Sequence, residues 1–148
     1  MQTRAQYDLA KAFANIFAGA SDRYGIYKGG TDYDSIRKTL TLDLIAKHLA
    51  GEISLATVLI NKENKCKAGV LDLDEHKKGG VKKDFDYDKL LKKIKFLKLP
   101  LTVFKSKSGG AHCYLFLDKF YKAIDVRHIL KKFAYALGYD RDTVEVFP

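Results

Sequence analysis

The chain predicts an α+β layer fold, and three observations carry that reading. From residue 54 onward, apolar alternation and helical spacing follow one another in the order β-β-α-β-β-α-β. The helical stretches end at breakers, Pro100 after one and Gly138 after another. The 148 residues suffice for one domain with a real core and not for two large ones. One domain over 1–148 is expected, with an α/β subregion at 1–60 and the remaining sheet and helices at 61–148.

Each element has its own signal. Residues 3–19 carry a helical stripe of Leu9, Phe13, Ile16 and Phe17, closed by Gly19. Arg23–Lys28 reads as a short extended segment ended by Gly29 and Gly30. A second helix is expected over 34–50, with Thr31, Asp32 and Asp34 as N-cap types and Ile36, Leu40 and Leu44 along one side. Ser54–Ile60 is apolar and β-rich, Asn61–Asn64 a turn, and Lys67–Leu73 the next strand, so 54–74 reads as a hairpin. Residues 76–84 form a Lys/Gly/Asp loop. Residues 86–98 form a Lys-rich helix with Leu90, Ile94 and Leu97 inward. Strands follow at Leu101–Lys105 and Ala111–Leu117, separated by a turn at Ser106–Gly110. Residues 124–137 are a third long helix with Ile129, Leu130, Phe133 and Leu137 inward, and Thr143–Phe147 is the last strand.

Composition narrows the class. Apolar residues make up 47% of the chain, an ordinary globular share. Lys and Asp interrupt every apolar run before the roughly 18 residues of a membrane span, and the N-terminus lacks a signal layout. A cytoplasmic protein without a membrane partner is the expectation. Cys66 and Cys113 form no Cys-x-x-Cys pair and are expected reduced and packed. His48, His76 and His128 are scattered and suggest no zinc cluster. The net charge of +9 is uneven: residues 1–60 hold seven Lys/Arg against six Asp/Glu, and residues 61–148 hold twenty against twelve. A basic surface of this kind suits a polyanion such as nucleic acid.

The chemistry-bearing residues lie in the basic part. Val70-Leu-Asp-Leu-Asp74 places two carboxylates two apart, so a strand puts Asp72 and Asp74 on one face. Neighbouring acids repel unless a cation lies between them, and a pair of divalent ions is the usual occupant. In 111–117, His112, Tyr114 and Phe116 share one face and Ala111, Cys113 and Leu115 the other. In the last strand Thr143, Glu145 and Phe147 share a face. If these faces coincide across the sheet, Asp72, Asp74, His112 and Glu145 converge, and the three acids can hold two hard cations, Mg²⁺ or Mn²⁺. Lys105-Ser-Lys-Ser-Gly-Gly-Ala-His112 offers what a triphosphate needs: hydroxyls of Ser106 and Ser108, the charge of Lys107, a donor in His112, and glycines that let the backbone approach. It is not a Walker loop. Each piece alone says less: Asp-x-Asp reads as solvated turn chemistry, Ser-Gly-Gly as a hairpin turn and His112 as a strand histidine, and Glu145 alone is a weak signal.

As a set, in this order, the pieces resemble the archaeo-eukaryotic primase superfamily, the primase-polymerases. Its three motifs are an apolar Asp-x-Asp strand, a Ser…His strand and an apolar Asp/Glu strand. Here they stand as Val70–Asp74, Ser106–His112 and Val144–Phe147. His48-Leu-Ala-Gly51, followed by an apolar strand and then the first motif, is similar to primase-type domains of mobile elements and conflict or CRISPR-linked systems. The resemblance implies a palm related to the RNA-recognition fold, its helices on one face, preceded by a small N-terminal α/β unit. It implies metal-holding, catalytic roles for Asp72, Asp74 and Glu145, and nucleotide-binding roles for Ser106, Lys107, Ser108 and His112. Which serine fills the family position stays open. The implied reaction is template-directed attack of a 3′-hydroxyl on the α-phosphate of an NTP or dNTP, with pyrophosphate released. The implied partners are a single-stranded DNA template and primer, and further domains of a longer parent such as a helicase. Members usually continue beyond the third acid, so either a C-terminus truncated at Pro148 or a minimal form is expected. Two other classes remain at this stage: a metal-dependent nuclease or phosphodiesterase, and a non-catalytic basic nucleic-acid-binding module.

Overall fold

The computed structural model describes residues 3–29, 32–74, 85–139 and 144–148. The expected 76–84 loop, His76, Thr31 and Thr143 lie outside them. Among the described residues are four helices and seven strands in two sheets, an α+β fold. The chain divides into two compact units, Met1–Lys67 and Ala68–Pro148.

In the first unit, helix α1 (Arg4–Ile16) starts at a capping box. Thr3 Oγ1 accepts from the Gln6 amide, and the Gln6 side chain accepts from the Thr3 amide. The buried edge of α1 is Ala10, flanked by Phe13 and Ala14, and it packs on Ile45 and Ala46 of α2 (Leu42–Leu49). The expected stripe is thus rotated: Leu9 and Ile16 are exposed, because small Ala10 and Ala14 let the two helices approach closely. Strands β1 (Tyr24–Gly29), β2 (Asp32–Ile36) and β3 (Leu55–Thr57) form a sheet in the order β2-β1-β3, antiparallel throughout.

Two expectations fail in this unit. Residues 34–36 are not helical: Asp32–Ile36 pairs with β1, setting Tyr33 opposite Tyr27 with ring centroids 5.3 Å apart. The helix begins only after Thr41, whose Oγ1 accepts from the Leu44 amide. Nor is 54–74 a hairpin. β3 pairs with β1, and the next strand joins the other sheet, although Asn61–Asn64 does turn, with Asn64 at φ 56°. His48 Nδ1 lies 3.4 Å from the Leu55 amide and holds β3 to α2.

The second unit is built from β4 (Lys65–Leu73, entering at Ala68), α3 (Tyr87–Phe96), β5 (Thr102–Lys105), β6 (Ala111–Lys122), α4 (Ala123–Leu137) and β7 (Val144–Phe147). The sheet order is β5-β6-β4-β7, with β5/β6 and β4/β7 antiparallel. This is the β-α-β-β-α-β arrangement of the ferredoxin-like and RNA-recognition folds. α3 starts at Asp86, which accepts from the Lys89 amide. It ends through Lys98 in the left-handed region (φ 52°), before Pro100 is reached. α4 closes on Gly138 at φ 86°. Its buried edge is Val126, Leu130, Ala134 and Leu137, so Ile129, expected inward, is exposed. Lys93 Nζ donates to the Leu137 carbonyl at 2.8 Å, joining the two helices in one layer.

The second-unit core is Leu71, Leu73, Leu90, Ile94, Leu115, Leu130 and Val146. Gly69 faces α4 so closely that an added Cβ would stand 2.6 Å from Leu130 Cδ1, 2.9 Å from Val126 Cγ1 and 3.1 Å from the Phe147 carbonyl. A Gly69→Val substitution is therefore expected to destabilise the protein by roughly 1–3 kcal/mol through overpacking. Urea denaturation reads this as a lowered midpoint with unchanged slope; an unchanged midpoint would mean that β4 does not pack on α4 as described.

Candidate functional site

β4 alternates: Gly69, Leu71 and Leu73 point to the helices, and Asp72 points the other way, followed by Asp74 just past the strand end. β7 runs antiparallel beside it with Glu145 directly opposite Asp72. On the other side, β6 brings His112 Nε2 to 3.4 Å from Asp72 Oδ1. Asp74 Oδ1 accepts from Ser108 Oγ at 2.8 Å, and Ser108 Oγ lies 2.8 Å from Ser106 Oγ. The structure thus gathers Asp72, Asp74, Glu145, His112, Ser106 and Ser108 in one unit, and Lys107 stands exposed in the same turn. The two serines form a single hydrogen-bonded chain to Asp74.

The turn that carries them is tightly specified. The Ser106 amide donates to the Gly110 carbonyl and the Gly109 amide to the Ser106 carbonyl, with Gly109 at φ 94°. Gly110 is buried against β4: a side chain there would run into the Leu73 carbonyl and the Asp74 carboxylate. Tyr87, at the start of α3, reads from the sequence as a base-stacking or filler aromatic, and the structure gives it another contact. Its hydroxyl donates toward the Gly110 carbonyl (2.8 Å) and the Gly109 carbonyl (3.2 Å), and Lys105 Nζ lies 5.4 Å over its ring. The contact spans more than twenty residues of sequence, beyond the reach of local pattern reading. Arg127, on α4, likewise anchors β7 by donating to the Val146 carbonyl at 2.7 Å.

Electrostatics mark Asp72 as the unusual group. Burial raises its carboxyl pKa; the His112 imidazole opposes this, while the charges of Asp74 and Glu145 add to it. Its Oδ1 is buried with no hydrogen-bond partner, since His112 reaches ion-pair distance but not hydrogen-bond alignment. Behind the site, burial foremost and Asp72's charge next push the Cys113 thiol up to about 12, so it is an inert packing group. Both cysteines are free and buried, as expected. On the site face, Tyr114 stacks on Phe116 (centroids 5.4 Å, planes 4° apart) and meets Phe104 edge-on.

Among the described residues, no three His, Cys, Asp or Glu side chains close into a metal cage by themselves. The donor chemistry nevertheless fits a hard divalent cation: an orphaned carboxylate oxygen with two further carboxylates near it, all oxygen ligands.

The second unit is thus a ferredoxin-like sheet with acids from β4 and β7 beside a Ser/Gly turn. The chain belongs to the archaeo-eukaryotic primase family: residues 27–146 match the archaeo-eukaryotic primase domain of the TOTE conflict system. That family comprises primase-like nucleotidyltransferases that generally use divalent metals and act on nucleic acid and nucleotides. No curated protein matches the chain. No helix among the described residues is long and apolar enough to cross a membrane.

Two predictions follow from this geometry. Asp72 is a weaker acid folded than unfolded, so its charge destabilises the metal-free fold at neutral pH, and that penalty is relieved as pH falls through the raised value. Asp72→Asn is expected to raise the melting temperature of the metal-free protein by about 2–4 °C, a change worth about 1 kcal/mol. A lowered melting temperature would contradict the strain. Tyr87→Phe removes the phenolic tie on the turn, and amide exchange at Ser106 and Gly109 is expected to speed up roughly tenfold; unchanged protection would show that the tie does not hold the turn.

Proposed function

We propose that the chain is a primase-polymerase catalytic domain, a template-dependent nucleotidyltransferase that makes or extends primers on single-stranded DNA. The observation that carries this reading is the register of Asp72 opposite Glu145, with His112 and the Ser106–Gly110 turn on the flank of the same carboxylates.

Asp72, Asp74 and Glu145 are the residues that would hold Mg²⁺ or Mn²⁺. When bound, such ions neutralise charge on the phosphates and lower the pKa of the attacking hydroxyl. Ser106, Ser108 and Lys107 receive the triphosphate of the incoming NTP or dNTP, the hydroxyls as donors once they turn from their chain to Asp74 and the lysine as a point charge. His112 donates to the same phosphates from the strand, with its Nε2 at ion-pair distance from Asp72. Glu145, on the edge strand, lies toward the primer end. The primer 3′-oxygen forms a bond to the α-phosphorus, the α–β bridging bond breaks, and pyrophosphate leaves.

The test is incorporation of labelled ATP and dATP on single-stranded DNA, with and without primer, in Mg²⁺ and Mn²⁺. Asp72→Ala and Asp74→Ala are each expected to lower incorporation by about 1,000-fold or more. His112→Ala is expected to raise the nucleotide KM by roughly tenfold, with a smaller fall in kcat. Incorporation that survives Asp72→Ala would falsify the reading, and degradation of the DNA without nucleotide would replace it with a nuclease.

A further inference from the structure

A cleft of about 940 Å³ lies between α4 and β7. α4 contributes Arg127, Lys131 and Tyr135 at successive spacings of four, so they stand in one row on the helix face; Tyr139 extends the row beyond the helix end, and Lys132 stands beside it. β7 contributes Phe147 and Glu145, the same Glu145 that faces Asp72. The two lysines are exposed. Tyr135 is 84% exposed, its ring turned to solvent beside three cations, with Tyr139 next along the row. Exposed aromatics interleaved with Lys and Arg in a concave basic groove are what a flexible polyanion with flat bases requires. Cations take the phosphates, and rings take the bases without choosing among them. A small anion would not use the rings, and an apolar peptide would leave the cations unpaired.

We propose that the α4–β7 cleft binds single-stranded nucleic acid, with Lys131 and Lys132 on its phosphates and Tyr135 against its bases. A strand held there runs past Glu145 at the edge of the carboxylate site. That last placement rests on the nucleotidyl-transfer reading; the affinity for the strand does not.

The experiment is fluorescence anisotropy of a labelled oligothymidine with the 148-residue chain in EDTA across a salt series. Lys131→Ala/Lys132→Ala and Tyr135→Ala are compared with the unsubstituted chain. The double variant is expected to lower the slope of log affinity against log salt by about 1.4, since each phosphate contact to a single strand contributes about 0.7. Tyr135→Ala is expected to weaken binding roughly tenfold. Circular dichroism and melting temperature are expected to be unchanged, because the substituted side chains project into solvent. A photo-crosslink from an iodouridine-bearing oligonucleotide is expected to map to the peptide containing Tyr135. Unchanged slope and affinity in the variants, or crosslinks confined to other elements, would overturn the proposal even if the chain incorporates nucleotides. Binding that depends on Lys131, Lys132 and Tyr135 in a chain that incorporates no nucleotide would uphold the cleft and sink the nucleotidyl-transfer reading instead.

Discussion

Asp72 and Glu145 stand opposite each other on adjacent antiparallel strands, and like charges in that position repel. What holds them there is packing on the other side of the same two strands. Leu71 and Leu73 are fully buried, Val146 nearly so, and Gly69 admits α4 to van der Waals contact with the β4 backbone. The Arg127 tie to the Val146 carbonyl fixes β7 from the helix side. Because strand side chains alternate, each apolar residue driven into the helix layer commits a neighbour to the opposite face. A one-residue slip of β7 would bury Glu145 among leucines, so the register is set by the hydrophobic face and the carboxylates are carried along with it. The cost of that arrangement appears at Asp72, whose raised pKa and orphaned oxygen are ground-state strain at a site the fold does not need for its own stability.

The legibility of this molecule from its sequence follows the reach of each signal. Period-two alternation in 70–74 and 111–117 assigned the faces of β4 and β6 correctly, since every residue there is constrained by the sheet. Helices α3 and α4 were placed by their spacing and caps, with Gly138 marking its end. The failures occur where local pattern and tertiary pairing disagree. Ile36, Leu40 and Leu44 share helical spacing, yet the Tyr27–Tyr33 cross-strand pair draws 32–36 into a sheet and leaves Thr41 as the cap. Two apolar runs flanking Asn61–Asn64 resemble a hairpin, but β3 finds its partner in β1, some thirty residues earlier in the chain. Leu9 and Ile129 are apolar and helical, yet exposed, because Ala10 and Leu130 are the positions that meet a neighbour.

Within the site, the acids, the serines and His112 were visible because strand period and motif order constrain them. The parts that hold the turn in place were not. Gly110 could be read as one more turn glycine, whereas its role is to lie against the Leu73 carbonyl and the Asp74 carboxylate. Tyr87 could be read as surface filler, whereas its hydroxyl meets two carbonyls of the turn. Both depend on how α3 and β4 pack around the 106–110 turn, which no local window contains.

The charge distribution gives the second unit a direction. α3 exposes Lys89, Lys92 and Lys95, α4 brings Arg127, Lys131 and Lys132 to the β7 edge, and the opposite face of the sheet carries the carboxylates. A polyanion is attracted by the first set and repelled by the second until cations neutralise it. The β7 edge is where the two meet, with Glu145 belonging to both the carboxylate cluster and the basic cleft. On the reading proposed above, a strand reaching the carboxylates has its least repulsive approach along that edge, where Lys131 and Lys132 offset the field that Asp72, Asp74 and Glu145 project. Among the described residues β7 has one strand neighbour, β4, and on the same reading its free edge is where backbone phosphates and the carboxylates meet.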